Sequence, residues 1–106
     1  MRNLEPITLW HREWDPDVGV DVWTPTTQYG HWYLHTLTSL QNGGLAYARE
    51  ARIRIPTNAD LSVQEGDVMA RGEHRGETPP KIGTLTVIGY SDNRQGRNPH
   101  WLVMCK

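Results

Sequence analysis

The sequence predicts an all-β fold: one domain over residues 1–106, built as a small antiparallel β-barrel or sandwich of about six to eight short strands with long exposed loops. Three observations predict it. Apolar residues recur with period two in separate segments, as in Val18, Val20 and Val22 and in Arg52-Ile53-Arg54-Ile55. Ten Gly and seven Pro are spread along the chain rather than gathered in one linker, so even an interval free of both, such as Leu45 to Ile55, leaves little room for a long helix. A chain of 106 residues holds one compact domain and rarely two.

The elements follow in order. Ile7 to Trp14 is β-rich, with Thr8, Trp10, Arg12 and Trp14 on one face, and Asp15-Pro16-Asp17 turns the chain. Val18 to Trp23 alternates as a half-buried strand, and Thr24-Pro25-Thr26 marks an edge or a bulge. His31 to Leu40 alternates again and runs into the turn signal Asn42-Gly43-Gly44. Arg49 to Ile55 reads as a strand ended by Pro56, with a short helical turn expected just before it. Gln64 to Asp67 is a turn into a strand from Val68 to Gly72. Gly72 to Pro80 is a polar surface loop, expected to be the most mobile one. Ile82 to Tyr90 is the clearest strand, with Ile82, Thr84, Thr86, Ile88 and Tyr90 on one side. Ser91 to Pro99 is a second exposed loop, and His100 to Met104 the last strand.

Composition narrows the function. Eleven basic and twelve acidic side chains leave a net charge of −1, which argues against a partner bound by neutralising many phosphates. No stretch approaches the roughly 18 apolar residues of a membrane helix, and Met1 to Pro6 is polar with no apolar segment after it, so a soluble chain without a signal peptide is expected. Cys105 is the only cysteine, which excludes a disulfide framework and a cysteine-based zinc site. Leu, Ile and Val total 21 and Phe is absent, so the five Trp and four Tyr must supply apolar area, and neighbours are expected to complete the core. The charge is also divided. Residues 1–48 hold two basic and five acidic side chains, and residues 49–106 nine basic and seven acidic, net −3 against +2. Such a dipolar subunit suits head-to-tail assembly.

No segment carries a complete catalytic pattern. His31 and His35 share a strand face but stand roughly 13 Å apart, too far to hold one ion. Asp15, Asp17 and Asp21 lack the glycine and glutamate offsets of a calcium loop. Ser91-Asp92-Asn93 has no Ser-x-x-Lys before it and no Lys-Thr-Gly after it, and reads as a turn. Cys105 has no base beside it and reads as a passive thiol. There is no glycine-rich phosphate cradle. No enzyme, no cofactor and no metal are expected.

Several motifs together resemble a family of short phage morphogenesis proteins, of the minor-capsid or head–tail connector type of long-tailed phages. They are Ile7-Thr8-Leu9-Trp10 with Arg12, Asp21-Val22-Trp23-Thr24-Pro25-Thr26, Trp32-Tyr33, Arg54-Ile55-Pro56, Gln64-Glu65-Gly66-Asp67-Val68 and Gly72. The most specific is Val87-Ile88-Gly89-Tyr90-Ser91-Asp92-Asn93-Arg94-Gln95-Gly96, followed by His100-Trp101. The resemblance implies a virion protein of the phage neck, made in the host cytoplasm. It would be a head-closure (stopper) or head–tail joining subunit that forms a homo-oligomeric ring below the portal and adaptor. That ring would retain packaged DNA, touching it non-specifically, and present the docking surface to tail-completion proteins, with no membrane contact. A tail-completion protein is the neighbouring reading.

Arg94, Arg97 and Trp101 are candidate interface residues, since Arg and Trp anchor interfaces, and the Gly72–Pro80 loop with Arg75 and Glu77 is a candidate to reach a neighbour or the lumen. Two other classes stay open beside the neck protein. One is an oligonucleotide-binding barrel that stacks bases on its aromatics; the other is a small metal hydrolase using His31, His35 and Asp residues.

Overall fold

A computed structural model describes residues 4–41 and 44–106, with the backbone alone described over 35–41 and 44–49. Among the described residues six strands form: β1 (Glu5–Asp15), β2 (Val20–Gln41), β3 (Gly44–Ile55), β4 (Val68–Arg71), β5 (Leu85–Asn93) and β6 (His100–Cys105). They close into an antiparallel barrel in the order β1-β2-β3-β6-β5-β4. Among the described residues there is no helix, so the all-β expectation holds.

Two strands turn the corners by changing partners. β2 pairs with β1 up to Gly30 (Glu5↔Gly30) and with β3 from His31 onward (His31↔Arg54). β5 pairs with β4 through Leu85 and Thr86 and with β6 from Val87, where a bulge before Gly89 adds bend. At the first corner the backbones come very close: a Cβ on Gly30 would stand 2.4 Å from the Arg54 carbonyl oxygen. Only a residue without a Cβ fits there.

The core lies inside the ring. Ile7 and Leu9 of β1 meet Ala51, Ile53 and Ile55 of β3, Met69 of β4, Val87 of β5 and Trp101, Val103 and Cys105 of β6, while Leu61 and Val63 plug it from the 56–67 connection. β1 is buried on both faces from Ile7 to Trp10, because the chain after β4 lies across its outer side. There Thr8 Oγ1 donates to the Gly72 carbonyl and accepts from the His74 N–H, and Trp10 Nε1–H donates to the Gly76 carbonyl at 3.0 Å. The His74 ring packs against the Trp10 indole with centroids 5.5 Å apart. The first half of the Gly72–Pro80 loop, expected to be mobile, is thus strapped to the barrel.

Two pairs of strands outgrow the ring. β4 covers β1 only from Ile7 to Trp10, so beyond them β1 and β2 run on as a two-stranded ribbon to the turn at Pro16–Gly19. β6 covers β3 only from Ala51 to Ile55, so among the described residues Gly44–Glu50 pairs with His35–Gln41 alone. These ribbons account for a radius of gyration of 15.3 Å, against about 13 Å for a compact domain of this length.

Several local expectations change. Three strands are long rather than short, since each spans both the ring and a ribbon. Val18 falls in the turn rather than the strand, and the valines of β2 alternate as expected yet are exposed, Val20 at 50% and Val22 at 44%, because the ribbon has no layer behind it. The helical turn expected before Arg49 is strand. β5 starts at Leu85 rather than Ile82, which is 90% exposed, and it faces Val87 inward while Ile88 and Tyr90 face out. Thr24-Pro25-Thr26 does not break β2, and its edge reading fits, for Pro25 pairs with Trp10 alone. The Asn42-Gly43 turn lies outside the described residues.

Candidate interaction site

The most elaborate polar arrangement gathers around Asp67, which follows the Glu65-Gly66 turn and is 1% exposed. Its Oδ2 accepts from the Gln64 N–H and from His11 Nδ1, both at 2.9 Å, and its Oδ1 accepts from the Arg12 N–H at 3.0 Å. A carboxylate oxygen accepts, so Nδ1 of His11 carries the hydrogen. Its Nε2 faces Glu13 Oε1 at 3.4 Å, at the mouth of a cleft of about 250 Å³ bordered by Thr24, Asp60 and Ser62. Chemically this is a carboxylate-oriented imidazole; structurally, Asp67 ties the turn to β1. The Gly66-Asp67 turn is visible in the sequence, whereas the partner His11, 56 positions away, is not.

The structure places the predicted interface residues in different settings. Arg94 is held within its own hairpin: Nε and Nη2 donate to the two Asp92 oxygens at 2.8 and 2.7 Å, and its guanidinium lies 4.9 Å from the centre of the Trp101 ring. The paired hydrogen bonds hold the Asp92 carboxyl below, and the Arg94 guanidinium above, their ordinary values. Trp101 is 5% exposed, belongs to the core and donates to the Ala59 carbonyl at 3.2 Å. Arg94 and the exposed Tyr90, whose ring centre is 6.1 Å away, both lie against its indole. Arg75 and Glu77 are exposed in the strap. Arg97 is exposed and stands apart from Arg94, in a groove.

That groove, of about 560 Å³, opens beside the Gly30 corner. Arg54 and His31, a cross-strand pair of β3 and β2, line one side, and Arg97 comes from the β5–β6 hairpin; Leu4, Pro56 and Pro99 are its apolar part. Among the described residues no carboxylate lines it. Glu5 is engaged with Arg71 at 2.9 Å and Asp92 with Arg94, so among the described residues Arg54 and Arg97 have no carboxylate partner.

At the far end of β1 lies the opposite character. The β1–β2 tip carries Glu13, Asp15, Asp17 and Asp21 with no basic residue, among exposed Trp14, Val18, Val20 and Val22. Its turn is ordered by its own bonds, from the Gly19 N–H to the Asp15 carbonyl at 2.8 Å and from the Asp17 N–H to Asp15 Oδ1 at 2.9 Å. Gly19 there has φ +75°, the left-handed region that favours glycine.

A model of a family of unknown function, DUF6751, matches residues 3–106. The chain belongs to that family. No curated protein and no solved structure matches the chain. In this DUF6751 chain, no three His, Cys, Asp or Glu among the described residues come together as ligands for a metal ion. His31 faces the groove, and the side chain of His35 lies outside the described residues. Asp15 is engaged in the turn described above, and Ser91 Oγ donates to Asn93 Oδ1 at 3.0 Å at the end of β5. Cys105 is buried in the core, which pushes its thiol up to about 12.

Proposed function

We propose that this chain is a structural subunit of a phage neck, a head-closure (stopper) or head–tail joining protein. It forms a ring below the portal and adaptor, retains packaged DNA and offers the tail its docking surface. The observation that carries this reading is the pair of two-stranded ribbons leaving a small closed barrel, each with unpaired backbone edges and one with exposed Trp14, Val18, Val20 and Val22. Unpaired edges and clustered apolar side chains are what a subunit presents to neighbours. The segment motifs from Ile7 to Trp101 that resemble phage morphogenesis proteins supply the neck itself, and the separated charges favour contacts between unlike ends of adjacent copies.

Mixing the purified chain with portal–adaptor complexes and imaging the particles by electron microscopy tests the proposal. A ring of added density below the adaptor is the expected result. A chain that never joins such complexes overturns the neck reading. Salt-sensitive binding to single-stranded DNA in place of ring formation would favour the oligonucleotide-binding barrel.

A further inference from the structure

We propose that the acidic tip of the β1–β2 hairpin of one copy seats in the Arg54–Arg97 groove of the next copy. The inference deepens the ring reading above, on which it rests, by naming the contact and its occupant: a second copy of this chain.

Charge and chemistry match on both sides. The groove offers two guanidinium groups without carboxylate partners, beside Leu4, Pro56 and Pro99. The tip offers Asp15 and Asp17 on a self-bonded turn, followed by Val18. Arg and carboxylate groups pair with charge-assisted hydrogen bonds, often bidentate, and the apolar parts of both surfaces lose water together. A turn that is already ordered gives up little conformational freedom when it docks. A cavity of about 560 Å³ takes a few side chains rather than a whole ribbon, so the tip enters and the ribbon face stays outside.

Geometry makes the contact intermolecular. The tip sits at Asp15↔Val20 and the groove beside Glu5↔Gly30, at opposite ends of one continuous ladder. Ten residue steps of strand separate them by roughly 33 Å, within a molecule whose longest dimension is 46 Å. A paired ribbon cannot fold back on itself over that distance, so a tip reaches only the groove of another copy. Such a contact joins unlike surfaces, the head-to-tail kind that makes a ring when its rotation closes.

A charge swap tests it. One variant carries Asp15→Arg and Asp17→Arg, which sets two basic turn residues against a basic groove; the other carries Arg54→Glu and Arg97→Glu, which sets an acidic groove against an acidic turn. Circular dichroism first establishes that both variants fold. In sedimentation velocity at low salt, the wild-type chain runs as an oligomer that added salt dissociates, and each variant alone runs as a monomer. An equimolar mixture of the two regains the oligomer, because each tip then meets a groove of opposite charge. A wild-type chain that stays monomeric to its solubility limit overturns the contact, as do variants that assemble like the wild type or a mixture that fails to assemble. Failure here with rings still forming on portal–adaptor complexes leaves the neck reading intact. Success here without portal binding removes the neck reading and keeps the contact.

Discussion

Gly30 touches Arg54 more closely than any side chain would permit: a Cβ on Gly30 would lie 2.4 Å from the Arg54 carbonyl oxygen. The same glycine is where β2 leaves β1 for β3, so the approach is how the barrel turns its corner. Gly30→Ala forces backbone against backbone, which cannot relax by side-chain rotation. It is expected to cost about 2 to 4 kcal/mol. Gly19→Ala meets open space and pays only for its positive φ, about 1 kcal/mol. Urea unfolding of the two variants checks the order, and equal losses would show that the corner is not tightly packed.

Asp67→Asn keeps the volume of the side chain but replaces one acceptor oxygen with a donor. Asp67 accepts bonds from Gln64, Arg12 and His11 while almost wholly buried, so at least one of these donors must lose its acceptor. The expected loss is about 2 to 4 kcal/mol, and Asp67→Ala is expected to lose at least as much. Denaturant unfolding measures both; an unchanged midpoint for Asp67→Asn would remove the role assigned to this carboxylate.

Trp10 holds the strap through its Nε1–H and its ring. Trp10→Phe removes the donor to Gly76 and leaves a void, at about 1 to 3 kcal/mol. The more specific effect is local: trypsin should cut after Arg75 several-fold faster, because the strap opens without the whole barrel unfolding. Cleavage after Arg75 at the wild-type rate would mean that the strap is held by other contacts.

The Cys105 thiol is raised from about 9 to about 12 by burial. A group whose folded value is raised holds its proton more tightly when folded than when unfolded. Its contribution to stability is therefore complete below pH 9 and is lost as pH rises from about 9 to about 12. A thiol reagent such as Ellman's should leave the folded chain unlabelled at pH 8 and label it on unfolding, and Cys105→Ser should flatten the alkaline part of the stability curve. Rapid labelling of the folded chain would contradict the buried setting.

The fold class was legible because period-two alternation and scattered Gly and Pro act locally. Burial was less so. Val18, Val20 and Val22 carry the pattern of a half-buried strand, but whether a second layer covers them depends on where β4 stops pairing with β1. Ile82, Thr84, Thr86, Ile88 and Tyr90 read as one side of a single strand, but which side is buried shows only in the structure, where β5 starts at Leu85 and a bulge falls at Val87/Gly89. Of the candidate site, the acidic tip was readable as a run of carboxylates on one hairpin. The groove was not, since Leu4, His31, Arg54 and Arg97 meet only once the barrel closes. Asp67 with His11 was hidden for the same reason.

The strap carries one more consequence, for the order in which the molecule is made. The Thr8–Gly72 bond spans 64 positions, and β1 joins β4 only through Ile7–Trp10 against Val68–Arg71. On the ribosome β1 and β2 emerge before their partners: Trp10 lacks its strap until residues 72–76 have been synthesised, and Ile7 and Leu9 lack the β6 side of their core until Trp101, Val103 and Cys105 follow. The barrel therefore closes only when nearly the whole chain is available, because the partners of β1 run from Ala51 to Cys105.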